Sequence, residues 1–368
     1  LIKLLLEHKA TLLKPIHYNE DIMHTQFYDK VTECNTLEYP ESSFKYTKYE
    51  PNKNTDYYKV FFDFETITNE ETHKPYLVRY ETEDDEQREC FGESCAIDML
   101  NNLPNNKNIM SIAHNANYDC RFLLKYLSQE KPIVKGGRFV SIDAVFYKYF
   151  DKKQPIKIRI KDSCKLIQMP LRDVGKSFKL DVQKDLMPYK VYTSKNIADV
   201  YIPILEAIQH IKDADKETFI NNIDKWGCRG SGHKFNYYNI LKYSSEYCKL
   251  ACTVLHKGYD VFRGWMIEYT KLDIDNYITI QSLASDFKLQ EGCYNDVAMF
   301  SGVVRHYISN CIGGGRCMTN SNNMYHVKRK VADVDACSLC PSAMNRMFGY
   351  LKGTPKILKT SQLNYEFR

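Results

Sequence analysis

The chain has 368 residues, is 43% hydrophobic and carries 51 basic against 46 acidic side chains, a net charge of +5. That length supports two modest domains with cores of their own; so mild a basic excess permits nucleic-acid binding without demanding it. Thirteen cysteines, an odd number scattered along the chain, fit reduced thiols in an intracellular compartment better than a disulfide scaffold. They do not separate cytoplasm, nucleus, viral factory and mitochondrion. The opening "LIKLLLEHKATLL" is too short and too interrupted by charge to span a membrane. It also lacks the small-residue cleavage site of a signal peptide, and an amphipathic helix is the plainer expectation. Leu1 is not a Met and no element closes at Arg368, so both ends look cut.

Residues 1–55 are polar and aromatic without a long periodic segment and are expected to be an N-terminal segment or linker. The texture changes at Tyr57. "YYKVFFDFETI", "KPYLVRYET" and "NIMSIAHN" predict three strands, and "YDCRFLLKYL" a helix. "SIDAVFYKYF" and "IKIRIKDS" add two more strands, and the chain from Asn196 to about Glu291 is expected to be mainly helical. "IGGGRCM" then breaks the pattern, "VADVDA" returns to strand, and "SLCPSAMNRMF" begins another helix. Strands followed by helices, with acids at strand ends, predict an α/β nuclease-like core and the start of a second domain.

Within the first strand, "FFDFETIT" sets Asp63 and Glu65 on one face by period-two alternation, with Phe62 and Phe64 on the other. Two carboxylates on a buried strand are costly unless a cation neutralises them, and hard divalent ions such as Mg²⁺ prefer carboxylate oxygens. A solvated D-x-E on a surface strand is the alternative. "HNANYDC" offers a further acid, Asp119, four residues after Asn115 and next to Tyr118, which is expected to pack inward. Alone this is weak, because Asn and Asp commonly start helices. Combined with D-x-E it suits metal-assisted phosphodiester hydrolysis, which draws acids from several elements. Cys337 and Cys340 form a C-x-x-C, but no second pair at zinc-finger spacing accompanies it. Read on its own, Lys184 is a solvated charge.

"FDFETIT", "HNANYD" and "YCKLACTVL" resemble, in order, the three exonuclease motifs of family B DNA polymerases, in particular the protein-primed branch of viruses, linear plasmids and self-replicating transposons. The resemblance implies an RNase H-like 3′–5′ exonuclease domain over 56–270 and a helical connection over 271–330. The start of a polymerase palm would follow over 331–368. It implies a two-metal site of Mg²⁺ or Mn²⁺ on Asp63, Glu65 and Asp119, with Tyr247 positioning water and Lys184 stabilising charge. In the third motif the family carries an Asp four residues after the Tyr; here that position is Ala251, which implies an impaired exonuclease. Glu246, Cys252 and Asp260 are expected to point away, at 100° per residue, so that no neighbour replaces the missing ligand.

"DSCKLIQMPLRDVGKSFKL" resembles the segment that touches single-stranded DNA and the priming protein, with Ser163 matching and Cys164 departing from a usual Leu. Asn115 and Tyr118 are implied DNA contacts. Gly314, Gly315 and Arg316 resemble the template-binding glycine segment, with Ile312 in place of a Tyr; glycine lets backbone approach a phosphate chain. "DACSLCPSAM" resembles polymerase motif A. This implies Asp335 as a catalytic metal ligand and Ser338, Leu339 and Cys340 around the incoming nucleotide, with Cys340 where a sugar-excluding Tyr is usual. The implied partners are single-stranded and primer-template DNA, deoxynucleoside triphosphates and a terminal priming protein, and no membrane. Two other readings stay open: a stand-alone RNase H-like nuclease, and a decayed element copy that binds DNA without processing it. The chain by itself is expected not to polymerise.

Overall fold

The computed structural model describes residues 56–68, 71–105, 107–135, 138–148, 155–295 and 339–346. Two compact units divide the chain: residues 50–287, and a second made of 1–49 with 288–368. In the second, the described segment contains the helix Leu339–Arg346, where "SLCPSAMNRMF" predicts one. Gly314, Gly315, Arg316, Asp335 and Ser338 lie outside the described residues, as does the expected strand "VADVDA".

The larger unit is built on a seven-stranded mixed sheet. Its strands are β1 (Tyr58–Ile67), β2 (Lys74–Thr82), β3 (Gln87–Phe91), β4 (Ile109–Ala113), β5 (Ser128–Lys135), β6 (Arg138–Phe146) and β7 (Ile156–Asp162). Their spatial order is β3-β2-β1-β4-β7-β6-β5. β1, β4 and β7 run parallel, while β2 and β3 on one side and β6 and β5 on the other are antiparallel. Three antiparallel strands followed by two parallel ones, in the order β3-β2-β1-β4-β7, is the sheet of an RNase H-like fold, as the sequence resemblance implies. β5 and β6 form a hairpin inserted between β4 and β7 that extends the edge.

β1 is flanked by strands on both sides and covered on both faces, which is why it reads as a nearly continuous apolar run. Val60, Phe62 and Phe64 join one core with α1 (Cys95–Asn102) and α2 (Cys120–Leu124). The opposite face lies under α7 (Ile240–Thr270), a 31-residue helix that packs across β1 and β2. Phe61 stacks on His256 and meets Tyr259 edge-on from that helix. Asn239 caps α7 by accepting from the Lys242 N–H.

Between β7 and α7 the chain is less uniformly helical than expected. α3 (Leu171–Ser177), α4 (Ser194–Asp199), α5 (Ile204–Ile208) and α6 (Lys216–Lys225) are interrupted by a two-stranded sheet, β8 (Tyr201–Pro203) with β9 (Tyr237–Asn239). Tyr192, Phe219, Tyr238 and Tyr243 pack around it in a second core that continues to Ile67, Tyr76 and Leu77 of the main sheet and to Tyr247 and Cys248 of α7. The compact unit also runs past 270: the buried Lys161 donates to the Ile274 carbonyl at 2.6 Å, and Tyr259 donates to Asp275 at 2.8 Å. Among the described residues, no helix is long and apolar enough to cross a membrane, and the cysteines found there are all free.

Candidate active site

β4 pairs with β1 only as far as Phe61↔Ile112. Beyond that point the pairing of the two parallel strands ends, and the acids gather at their carboxyl ends, where α/β sheets bind ligands. The Phe64 N–H, without a strand partner on this side, donates to Asp119 Oδ1 at 3.3 Å. Asp119 therefore stands at the start of α2 as a buried acid anchored to β1, not as a helix cap; it makes no side-chain capping bond. A register shift follows directly, between Glu65 and Thr66, the sort of bulge that re-aims side chains beside functional sites.

Asp63 and Glu65 share the face under α7, as alternation predicts. Glu65 is 4% exposed, and its carboxylate makes no hydrogen bond to any described residue. Burial first, then the Asp63 charge, push its pKa well above the ordinary carboxylate range, with Lys184 offsetting part of this. Asp119 is raised in the same way, by burial and then by Asp63. Three acids thus crowd together, and the nearest cation is a single lysine.

That lysine is Lys184, whose Nζ sits 3.6 Å from Asp63 Oδ2 and 5.0 Å from the centre of the Tyr247 ring. Its placement has a local cause. The loop that carries it folds back on α3 at Gly175, where an added Cβ would meet the Val182 carbonyl at 2.6 Å. Read alone, the sequence makes Lys184 a solvated charge; the structure corrects this, since close packing of the loop draws it inward. Burial opposes its charge, but the Asp63 carboxylate beside it and Glu65 outweigh this and raise its pKa. Tyr247 is buried on α7, its hydroxyl 2.6 Å from that of Tyr189. Burial and the Glu65 charge push its pKa upward, so it acts as a neutral phenol.

Ala251 is fully buried one turn further along α7 and offers no ligand atom. The expectation that no neighbour replaces the missing ligand rests on Glu246, Cys252 and Asp260 and does not weigh Cys248. Among the described residues, ligand atoms of Asp63, Glu65 and Cys248 all lie within 4.8 Å of one another. The helical period carries the signal: positions 248 and 251 are three apart, on one face. Asp119 is outside this compact triple, although it is electrostatically tied to both Asp63 and Glu65. Cys252 donates to the Arg79 carbonyl at 3.2 Å and its thiol also meets that of Cys248, but it is not one of the three groups that converge on the acids.

The rim departs from expectation in two places. Tyr118 is half-buried instead of packing inward. Its hydroxyl lies 2.7 Å from both Thr66 Oγ1 and His73 Nδ1, and its ring meets Phe122; polar partners hold it at the rim. Ser163 is fully buried, donating to the Ala113 carbonyl at 3.1 Å and lying 3.0 Å from His114 Nδ1. Its hydroxyl is engaged within the protein and turned away from solvent. Asn115 is exposed in the left-handed region, φ 64°, a conformation Asn tolerates better than most residues. Its N–H is held by Asp162 Oδ1 at 2.8 Å. Sequence reasoning gave His114, Asp162 and Tyr189 no role, and no motif marks Tyr189. Of Leu339 and Cys340, the structure describes only their helix.

The sequence matches the family described as DNA polymerase type B, organellar and viral, over residues 101–367. The chain belongs to this family. The matched segment takes in Asn115, Asp119, Lys184, Tyr247 and Ala251 and continues through the positions that resemble motif A; Asp63 and Glu65 precede it. Among solved structures, the chain is similar to Phi29 DNA polymerase complexed with single-stranded DNA, at TM-score 0.47 and 16% identity. That similarity covers 72% of this chain and 41% of that one. The same polymerase with primer-template DNA and incoming nucleotide substrates gives TM-score 0.46, 16% identity, and 73% and 41% coverage. The family B DNA polymerase of the hyperthermophilic archaeon Pyrobaculum calidifontis gives 0.35, 11%, and 66% and 30%. The chain spans about two fifths of the Phi29 polymerase. No curated protein matches it.

Proposed function

We propose that the chain is part of a protein-primed family B DNA polymerase. Residues 56–270 would form a 3′–5′ exonuclease domain, 271–330 a connection with a template-binding glycine segment, and 331–368 the start of the palm. The observation that carries the exonuclease reading is Glu65: a buried carboxylate without a hydrogen bond from any described residue, beside Asp63 and Asp119, fits a site completed by a divalent cation. A cation held there supplies charge neutralisation and Lewis acidity at a phosphodiester. Asp63, Glu65 and Asp119 would hold Mg²⁺ or Mn²⁺. Lys184 would face the scissile phosphate, and the neutral Tyr247 hydroxyl, braced by Tyr189, would orient the attacking water.

Asn115 and Tyr118 lie at the rim of the site, where a single strand would enter and stack, and Ser163 supports that rim from beneath. Terminal protein, deoxynucleoside triphosphates and primer-template DNA are the partners this reading assigns to the whole polymerase, with Asp335, Ser338, Leu339 and Cys340 at its nucleotide site and Gly314, Gly315 and Arg316 on the template. An intracellular, reducing setting goes with it. The family match continuing to residue 367 favours this over a stand-alone nuclease. Ala251 in place of an acid implies slow cutting.

The test is cation-dependent release of nucleotides from oligonucleotides labelled at either end, with Asp63→Ala as control. Loss of 3′ nucleotides only, abolished by Asp63→Ala, supports the reading; activity that survives Asp63→Ala refutes it. Binding of single-stranded DNA with no cutting by this chain or by Ala251→Asp favours the decayed copy. Primer extension by residues 1–368 above a mock preparation would contradict the division into exonuclease and incomplete palm.

A further inference from the structure

Cys248 occupies a position beside the acids that an oxygen-only site would not need. Its thiol donates to the main-chain carbonyl of Asp63 at 3.3 Å, which fixes the sulfur against β1. In that pose the sulfur and the Asp63 and Glu65 carboxylate oxygens fall within 4.8 Å of one another. The neighbouring acid, Glu65, is more than nine-tenths buried and lacks any hydrogen-bond partner among the described residues. One turn along the same helical face, Ala251 contributes nothing but a methyl group. The site therefore sets a largely buried carboxylate, with no hydrogen bond from a described residue, beside a preplaced sulfur, and α7 adds no acid to this group.

We propose that Cys248 is a ligand of the cation held by Asp63 and Glu65, and that it turns this site from a hard-ion site toward borderline-soft divalent ions, Zn²⁺ above all. The inference rests on the cation-site reading of these acids given above. Mg²⁺ takes oxygen ligands in near-octahedral geometry and gains little from sulfur, whereas a mixed thiolate and carboxylate set suits Zn²⁺ and Co²⁺. Binding breaks the Cys248 S–H bond as the sulfur–metal bond forms; the proton is released to solvent, and no oxidant or reductant takes part. Burial keeps the thiol protonated in the absence of a cation.

The experiment uses the full chain and two readouts other than activity. Zn²⁺ affinity is measured by competition with a chromophoric chelator, and Co²⁺ is added to look for a sulfur-to-metal charge-transfer band. Cys248→Ser should weaken Zn²⁺ by at least about tenfold, since even changes outside the ligand shell cost about 10–100-fold. Its Mn²⁺ affinity should stay within about threefold, because Mn²⁺ draws mainly on the oxygens. The Co²⁺ band should appear in the unmodified chain, persist in Cys252→Ser and vanish in Asp63→Asn, which ties it to this site even if Cys248→Ser fails to fold. Equal Zn²⁺ binding by the unmodified chain and Cys248→Ser, with loss in Asp63→Asn, overturns the role of Cys248 and leaves the acidic site standing. Absence of any Asp63-dependent binding of Zn²⁺, Co²⁺ or Mn²⁺ overturns both.

Discussion

Helix α7 covers two buried carboxylates of the same sheet, Glu65 on β1 and Glu81 on β2, and they live in opposite circumstances. Glu81, 3% exposed, accepts from Thr253 at 2.7 Å and Gln87 at 3.0 Å on one oxygen and from His256 at 2.8 Å on the other. Burial raises its pKa, but the bonds from His256, Thr253 and Gln87 outweigh that and hold it below the ordinary range. His256 is itself flanked by Asp260 at 3.3 Å on its second nitrogen. Burial opposes its charge, yet the Asp260 and Glu81 hydrogen bonds push its pKa up to about 9. Glu65 has none of this. A buried acid neutralised by its own chain is part of the architecture; Glu65, with no such bonds from the described residues, is the acid on which the proposed cation site rests.

The largest expected effect is at the satisfied acid. His256→Leu should destabilise the chain by about 3–5 kcal/mol in denaturant unfolding, because it removes the cationic partner of a buried carboxylate and leaves only the neutral Thr253 and Gln87 donors; a loss below about 1 kcal/mol would mean that the pair is not a structural staple. Next, Ala251→Asp should raise the rate of 3′-end digestion by roughly 10²-fold, the scale on which a lost electrostatic stabiliser acts. No gain, with Asp63→Ala still abolishing activity, would show that the third motif has been misplaced.

A smaller effect is expected at Glu65. Glu65→Gln should leave the cation-free chain unharmed or more stable by about 1 kcal/mol, since it removes a charge the fold disfavours, and saturating Mn²⁺ should reverse that order. A Glu65→Gln variant destabilised under both conditions would place Glu65 in the architecture with Glu81. The smallest effect is in pH. The His256–Glu81 contribution is present below the unfolded His value of 6.5 and is lost as pH rises through about 9. At the acid end it is present above the ordinary Glu value of 4.5 and is lost as pH falls further and Glu81 protonates. His256→Leu should flatten both limbs of the unfolding profile; a parallel profile would contradict the pairing.

How much of this was legible in the sequence follows from which forces leave a local trace. β1, β2, β4 and β7 announce themselves because burial between neighbours demands apolar runs; "IKIRIKD" alternates, although its polar face is itself covered at Lys161. β3 "QRECF" exposes all but Cys90, and β5 "SQEKPIVK" is a polar edge strand containing Pro132; neither carries a hydrophobic signature. Asp63, Glu65 and Asp119 could be picked out because acids at strand ends are unusual. Lys184 could be placed only through the family resemblance, because its position depends on a loop pressed against Gly175. Cys248 was open to a helical-wheel reading that asked which residues flank Ala251 and not only which could replace it. Tyr189 meets Tyr247 across 58 residues, and no local pattern encodes that contact.

The claim that the Asp63–Glu65–Asp119 group is a cation site is tested most directly by calorimetric titration of the full chain with Mn²⁺, alongside Glu65→Gln. The account predicts binding by the unmodified chain and an affinity at least about tenfold lower in the variant, the scale on which metal sites respond to lost support. Indistinguishable isotherms, or no binding to the unmodified chain, would contradict it.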